Sequence, residues 1–146
     1  MAEYNFIVKK FSELTADEVF EILRARSKIF VVEQKCIYLD PDDADKIATH
    51  IYIPDEDGNI AAYLRVFPKE EGVYKIGKVI TVRRGQGYGR PLMEKGIETA
   101  VSLGAKKAVI NAQTHAIGFY EKFGFKVVSG EYDFDGSMHV DMEREF

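Results

Sequence analysis

A glycine-rich segment is the part of the sequence whose residue types and spacing point most clearly to ligand chemistry. Gly85, Gly87 and Gly89 stand at every second position after a strand-like run that ends at Val82. Glycine tolerates positive φ and lets a ligand approach the backbone closely. Apolar residues at helical spacing follow, so backbone N–H groups without partners should collect at a helix N-terminus. Such a terminus attracts anions, and we expect it to bind a phosphate or pyrophosphate.

Positive charge on either side of the glycines supports an anionic ligand. Two other nucleotide-binding motifs match the sequence less well. Arg83, Arg84 and Arg90 place positive charge on either side of the glycines. The dinucleotide fingerprint G-x-G-x-x-G does not match, because the third glycine comes one residue early. Residues 72–78 resemble a phosphate-binding P-loop until Val79 occupies the Ser/Thr position. An NTP-binding protein is therefore disfavoured.

The glycine segment, residues 84–89 (RGQGYG), resembles the R/Q-x-x-G-x-G/A acyl-CoA signature of the GNAT N-acetyltransferase superfamily. It also lies between a strand and a helix, as in that family. The resemblance is more specifically to the ElaA-like branch and extends along most of the chain. Further matching segments are residues 26–36, 42–45, 111–113, 119–125 and 135–139.

The resemblance implies an acetyl-CoA-dependent N-acetyltransferase that passes an acetyl group directly to a primary amine of a small molecule or peptide. A catalytically silent acyl-CoA binding or sensing module on the same fold is the alternative. The family implies that one strand pairs its backbone with the pantetheine amides and that the loop amides hold the pyrophosphate. The implied cofactor-binding residues are Ile80, Thr81, Val82, Arg84, Gly85, Gln86, Gly87, Tyr88, Gly89, Arg90, Asn111 and Tyr120.

Catalytic roles follow from the same resemblance. It implies that Tyr120 is the general acid toward the CoA sulfur, since a phenol with a pKa of about 10 stays protonated at neutral pH. For the general base we place Glu33 first and His139 second, with His50 or a water chain as open alternatives. Direct transfer needs no enzyme thiol, and we expect Cys36 to be a small buried packing residue.

Alternation and turn signals predict the elements that must position these residues. Thr15 and Glu18 form a capping box that begins the first helix, the glycine-rich helix ends at Gly104, and Gly77 is a candidate β-bulge. We predict strands at residues 4–9, 46–53, 60–67, 73–82, 108–111, 125–129 and 139–145, with further helices at 31–35 and 115–123. This order predicts an α+β fold (α/β in some schemes). The resemblance implies the GNAT fold, with a mixed, mostly antiparallel sheet of about seven strands, flanking helices and a splay between the fourth and fifth strands.

Arg26 falls in the middle of the apolar face of the first helix. A buried guanidinium needs a carboxylate partner, and Glu33 or one of the aspartates at 42, 43 and 45 could serve. The alternative is an arginine at the edge of the stripe whose charged end reaches water. If these carboxylates surround the acceptor instead, they favour a cationic amine.

Composition limits the number of domains, the possible partners and the location of the protein. A chain of 146 residues fits one domain, residues 1–146. The net charge of −4 argues against a nucleic-acid partner. The single cysteine excludes an internal disulfide and any cysteine-cluster metal site. With no signal peptide and no apolar run near the ~20 residues of a membrane span, we expect a cytoplasmic protein without a membrane partner. A homodimer is an expectation from the family.

Two acidic stretches could suggest calcium sites. Residues 40–43 lack the central glycine and terminal glutamate of an EF-hand loop. Residues 131–136 have the glycine, but Met142 stands where the bidentate glutamate belongs. We predict no metal.

Overall fold

The computed structural model describes residues 4–134 and 136–146, so Asp135 of the second acidic stretch lies outside the described residues. Eight strands form one mixed sheet. They are β1 Ile7–Lys10, β2 Thr49–Pro54, β3 Ile60–Glu70, β4 Val73–Thr81, β5 Lys107–Gln113, β6 Lys126–Val127, β7 Tyr132–Phe134 and β8 Ser137–Glu145. The α-helices are α1 Ala16–Arg26, α2 Ala44–Ile47, α3 Gly89–Ser102 and α4 Ile117–Glu121.

The sheet follows the order β1-β2-β3-β4-β5-β8-β6, and β7 also pairs with β8. Strands β1 to β4 form an antiparallel meander, β4 and β5 are parallel, and β5 pairs antiparallel with β8. Helix α3 makes the crossover that a parallel pair requires. The predicted mixed, mostly antiparallel sheet with flanking helices is therefore confirmed. It has one strand more than expected, because β7 occupies residues that we predicted to be a connection.

Several predicted boundaries were wrong for local reasons. Residues 44–47 form α2, although the pattern began a strand at residue 46. Asp42 and Asp45 exchange side-chain-to-backbone hydrogen bonds of 3.1 and 3.3 Å, which begin a helical turn. The capping box of Thr15 and Glu18 is present at the start of α1. Helix α1 then runs on into a π-helical turn, Ser27–Glu33, which replaces the separate helix predicted at residues 31–35.

The first strand, the helix predicted at residues 115–123 and the strand predicted at residues 125–129 are shorter than expected, whereas β8 begins two residues earlier. The first strand begins at Ile7, and the segment predicted as a helix at residues 115–123 divides into a 3-10 turn, Thr114–Ala116, and α4. Strand β6 has two residues. Gly104 has φ of 103°, consistent with its predicted role at a helix end, and Gly124 has φ of 86° just after α4.

The two faces of the sheet bury separate apolar clusters. Leu64 and Ile76 pack with Met93 of α3 on one face, whereas Tyr63 packs with Ile22 of α1 on the other. Neighbouring residues of a strand point to opposite faces, so β3 contributes to both clusters. Close packing of α3 depends on Gly96, because a Cβ there would lie 2.9 Å from Leu64 Cδ2.

The pairing of β4 with β5 stops early. Val73–Lys75 pair with Lys107–Val109, and the strands diverge beyond that point. This is the splay that the resemblance implied. The predicted bulge is also present, since Tyr63 pairs with Ile80 and Arg65 with Gly77, which leaves Lys78 and Val79 opposite Leu64. The residue with positive φ is Lys78, at 52°, rather than Gly77.

Candidate active site

A cleft of about 690 Å³ opens where β4 and β5 diverge. At the loop end, it is lined by the residues between β4 and α3. At the sheet end, it is lined by polar residues of β3, β4, β5 and β8, together with the segment 36–42. The splay thus connects a glycine-rich loop with a set of polar side chains.

The glycine loop has the backbone that an anion site requires. Gly85 and Gly87 have φ of 75° and 77°, which L side chains rarely adopt. Within the described part of the chain, the amides of residues 85–90 donate no hydrogen bond. They lie at the N-terminus of α3, which begins at Gly89. Free N–H groups and the positive end of a helix dipole therefore meet at one place.

The arginines around the loop are paired at its rim. Arg84 Nη1 lies 2.9 Å from Glu33 Oε1, and Arg83 Nη1 lies 3.2 Å from Asp55 Oδ2. Arg90 Nε lies 3.0 Å from Glu94. The Arg84 and Arg90 pairs are exposed and contribute little to stability, whereas the Asp55 side chain in the Arg83 pair is largely buried. Their guanidinium groups can exchange partners when an anion binds.

Strand β4 presents its free edge to the cleft. Beyond Lys75 it has no partner on the β5 side, so an extended ligand could pair with it as an added strand. Ile80 and Thr81 line the cleft. Val82 lies outside the lining, and its N–H already donates to Ala61 O at 2.7 Å.

Tyr120 lies in the wall of the cleft on α4, with 7% of its surface exposed. Phe119 and Phe125 contact its ring edge-on, at centroid distances of 5.3 and 6.4 Å. Its hydroxyl has no hydrogen-bond partner among residues 4–134 and 136–146. Burial raises the pKa of Tyr120 above its usual value, so the phenol keeps its proton.

His139 lines the sheet end of the cleft on β8. Its Nδ1 lies 2.8 Å from Ser137 O. A carbonyl oxygen only accepts, so Nδ1 carries the hydrogen and Nε2 of the neutral ring keeps a lone pair. Tyr132 stacks on the imidazole at a centroid distance of 6.2 Å and fixes its orientation.

The other two candidate bases lie elsewhere. Glu33 is outside the lining of the cleft and pairs with Arg84. His50 is 2% exposed, and its ring nitrogens lie 2.7 Å from Tyr63 Oη and 2.8 Å from Asp45 O. Burial lowers the pKa of His50. With both nitrogens occupied, its role is structural.

Asn111 lines the cleft, but its amide group is occupied. Its Nδ2 donates to Tyr132 Oη at 3.0 Å and to Asp141 Oδ1 at 2.8 Å. Tyr132 also donates to Asp141, and burial together with this bond raises the pKa of Tyr132 to about 12. Only the carbonyl oxygen of Asn111 is left for a ligand.

Arg26 is fully buried beneath the sheet end, so the alternative of a charged end in water was wrong. It donates to Asp40 Oδ2 at 2.8 Å and to Asp45 Oδ1 at 2.7 Å. Asp45 was among the predicted partners, Asp40 was not, and Glu33 pairs elsewhere. Burial alone would raise the pKa of Asp45, but the hydrogen bond and charge of Arg26 prevail and hold it at about 2.

The same network extends to the segment 36–42. Arg65 donates to Asp42 Oδ2 at 2.8 Å and to Asp45 Oδ1 at 2.7 Å. Lys78, at the bulge, lies 3.0 Å from Asp40 Oδ1. The hydrogen bond from Arg65 lowers the pKa of Asp42. These carboxylates are therefore neutralised within the protein, which removes the expected acidic surround for a cationic amine.

Two further side-chain contacts, Gln34 with Gln113 and Cys36 with Ser137, lie at the sheet end of the cleft. Gln34 and Gln113 exchange amide hydrogen bonds of 2.7 and 3.3 Å. Cys36 is 5% exposed, lines the cleft and has Sγ 3.6 Å from Ser137 Oγ. It is thus buried as expected, although it also faces the cleft. Alternation of Gln113 with buried Ala112 could have indicated that Gln113 faces the site.

The cleft gathers most of the predicted site residues. Those that line it are Ile80, Thr81, Arg84, Gly85, Gly87, Tyr88, Gly89, Arg90, Asn111, Tyr120 and His139. Val82, Gln86 and Glu33 lie outside its lining. Sequence analysis missed Arg65 and Lys75, which reach the cleft only through the register of β3 and β4.

Residues 4–134 and 136–146 hold no group of three or more His, Cys, Asp or Glu side chains placed to bind a metal ion. Within the same ranges, every helix is too short or too polar to cross a membrane.

Comparison with known proteins identifies the family. A model of the acetyltransferase (GNAT) domain matches residues 37–146. The chain belongs to the GNAT acetyltransferase family. Protein ElaA from Escherichia coli strain K12 is 35% identical over 140 residues, covering 92% of this chain and 92% of that protein. The resemblance to the ElaA-like branch is confirmed.

Solved structures agree with this GNAT assignment. An acyl-CoA N-acyltransferase from Pseudomonas aeruginosa is 34% identical, with a TM-score of 0.89, covering 97% of this chain and 99% of that chain. Escherichia coli ElaA is 33% identical with a TM-score of 0.89, covering 98% and 100%. The predicted GNAT fold is confirmed, as is the expectation of an N-acetyltransferase enzyme. The family model and these structures together support acyl-CoA-dependent acyl transfer as the activity.

Proposed function

We propose that this GNAT protein transfers an acetyl group from acetyl-CoA directly to a primary amine of a small molecule or peptide. The observation that carries the proposal is the splay of β4 and β5. It joins a loop of free amides to a cleft wall that holds the unpartnered hydroxyl of Tyr120 and the free Nε2 of His139. The family's own description supports acetyl as the group transferred.

The loop end fits the diphosphate of coenzyme A. Amides of residues 85–90 have no other acceptor within the described chain, and glycines at 85 and 87 keep their approach open. Pro91 removes one further N–H, but in the first turn of α3 that group has no helical partner. The free edge of β4 at Ile80 and Thr81 fits the pantetheine amides.

Acetyl-CoA, when bound, supplies the thioester. Tyr120 then donates its phenolic proton to the departing sulfur, and its raised pKa guarantees that the proton is present at neutral pH. His139 takes the amine proton at Nε2, while the carbonyl of Ser137 holds Nδ1–H and orients the ring. We prefer His139 to Glu33, because Glu33 pairs with Arg84 outside the cleft. A water chain to His139 serves the same role if the amine lies farther away.

Replacing Tyr120 by phenylalanine tests the proposal. Removing a general acid should lower kcat about 10²- to 10⁴-fold, measured as CoA release with a panel of primary amines. Binding of acetyl-CoA should persist, and at 100 times Kd it should stabilise the protein by about 2.7 kcal/mol in thermal unfolding. Tyr74→Phe is the matched control, since its hydroxyl bonds Leu103 O at the surface. An unchanged kcat in Tyr120→Phe would remove the assignment.

The same assays separate the alternative function. A sensing module would bind acetyl-CoA but release no CoA above the buffer rate with any amine. His139→Gln should lower kcat/KM, and an unchanged kcat/KM would exclude His139 as base. A cytoplasmic location and a homodimer are predictions from the sequence.

A further inference from the structure

At the far end of the cleft, polar side chains on the sheet face opposite α3 form a floor. Ile76 and Ile110 point into the core beneath α3, so their strand neighbours Lys75 and Asn111 point to the opposite face. Register places His139 beside Gln113 on that face. We define the floor as Lys75, Asn111, Gln113 and His139, all of which line the cleft.

Most charges around this floor are already paired. The carboxylates of Asp40 and Asp42 bind Lys78 and Arg65, respectively, and Asp141 accepts from Tyr132. At the loop end, the arginines pair with glutamates and an aspartate. The acidic residues near the cleft are therefore not available to bind a cationic ligand.

Lys75 differs from the other cations that line the cleft. It is half-buried, and within the described ranges it makes no hydrogen bond or ion pair. Burial lowers the pKa of Lys75, with smaller effects from Lys69 and Arg65 that the charges of Asp141 and Asp42 oppose. A half-buried ammonium group without a counter-ion is unfavourable. A ligand anion would relieve that cost.

A second donor without a partner lies on the same face. Arg65 Nε is buried and has no hydrogen-bond partner, although the other nitrogens of this guanidinium bind carboxylates. Gly77 lies beside it, and a Cβ on that residue would stand 3.9 Å from Nε. Arg65 and Lys75 belong to neighbouring strands, since Gly77 pairs with Arg65 and Lys75 with Phe67.

We propose that the acceptor of this enzyme is an amine that also carries a carboxylate. Lys75 binds this carboxylate, and neighbouring Arg65 assists the binding. This inference rests on the proposed function, since it identifies the acceptor for that reaction. The carboxylate sits at Lys75 and the amine at His139.

Strand register sets the separation between these two groups. Lys75 pairs with Val109, and His139 pairs with Gln113, four residues further along β5. Four residues of strand span about 13 Å. With the carboxylate at Lys75 and the amine at His139, this backbone separation favours an acceptor whose carboxylate lies several bonds from the amine, as in an ω-amino acid, over an α-amino acid, whose two groups are adjacent.

Binding of matched product probes tests the inference without requiring turnover. The probes are N-acetyl-6-aminohexanoate and its neutral isostere N-acetyl-6-aminohexanamide, titrated by calorimetry or NMR into protein saturated with CoA. The acid should bind at least tenfold tighter than the amide. Lys75→Met should abolish this preference, Lys75→Arg should keep most of it, and Lys126→Met, an exposed lysine of β6, should leave it unchanged.

The outcomes separate this inference from the proposed function. Equal binding of acid and amide to the CoA-saturated wild-type protein would overturn the anionic acceptor, while CoA binding itself would leave the transferase proposal intact. A preference that survives in Lys75→Met would equally overturn it. Failure of CoA to bind at all would instead contradict the proposed function. N-acetylglycine, in which the groups are too close, should bind no better than the amide.

Discussion

The loop end of the cleft offers backbone amides to a ligand, whereas the sheet end consists of side chains that hold one another in place. At the loop end, the free amides of residues 85–90 come from one short segment, and the nearby ion pairs are exposed. At the sheet end, buried Arg26 and Arg65 bridge aspartates that precede or belong to α2. A change in the loop should therefore alter binding first, and a change in the network should alter stability first.

The largest effect should come from breaking the buried network. Arg26→Met leaves Asp40 and Asp45 without their main counter-charge in a buried site. Removing one partner of a buried ion pair costs about 3–5 kcal/mol, so the free energy of unfolding should fall by that amount in urea titrations at neutral pH.

Arg24→Met is the matched control for this change. Arg24 lies on the same helix, but its pair with Glu21 is exposed, and such pairs contribute about 0–1 kcal/mol. Equal losses in the two variants would show that the network at the sheet end stabilises no more than a surface pair. The contrast between the two ends of the cleft would then be false.

The difference between the loop end and the sheet end explains which features could be predicted from the sequence. The glycine loop acts within one segment, so its spacing alone predicted an anion site, and alternation predicted most strands. Asp40 and Lys75 reach the site only through pairings between distant segments, which spacing does not encode. Strand β7 was missed because it is short and depends on β8 for its partner. Helix α2 was missed because two aspartates override an apolar pattern.

Acid should lower the free energy of unfolding by protonating the buried aspartates at the sheet end. The hydrogen bond and charge of Arg26 hold the pKa of Asp45 at about 2 in the folded protein, below its usual value of 3.8. A depressed folded pKa contributes stability that is complete above pH 4 and lost as the pH falls toward 2. Two pKa units correspond to about 2.7 kcal/mol. The unfolding free energy of the wild type should therefore fall across this window.

Asp45→Asn should start less stable than the wild type and show a shallower loss between pH 4 and pH 2, measured by urea unfolding at closely spaced pH values. Asp43→Asn is the control, because Asp43 is an exposed neighbour without an ion pair in the described structure. Parallel curves for the wild type and Asp45→Asn would show that Asp45 does not carry the acid sensitivity.

The smallest effect should follow a change in the loop. At φ of 77°, Gly87 adopts a conformation that costs an L residue about 1–2 kcal/mol, and a Cβ there has only Tyr4 Oη near it, at 4.0 Å. If the loop relaxes to avoid this strain, its N–H groups no longer point toward a single bound anion. Gly87→Ala should then weaken acetyl-CoA binding about tenfold, since tenfold corresponds to 1.4 kcal/mol, while unfolding in the absence of ligand changes by less than Arg26→Met.

Gly118→Ala provides the matched control for this last change. Gly118 lies in α4 with negative φ and open space around its Cβ position, so alanine there should preserve binding and favour the helix. Calorimetric titration with acetyl-CoA measures both variants. If Gly87→Ala bound acetyl-CoA as the wild type does, the positive φ of the loop would have no part in aiming its amides, and anion binding would have to depend on the rim arginines instead.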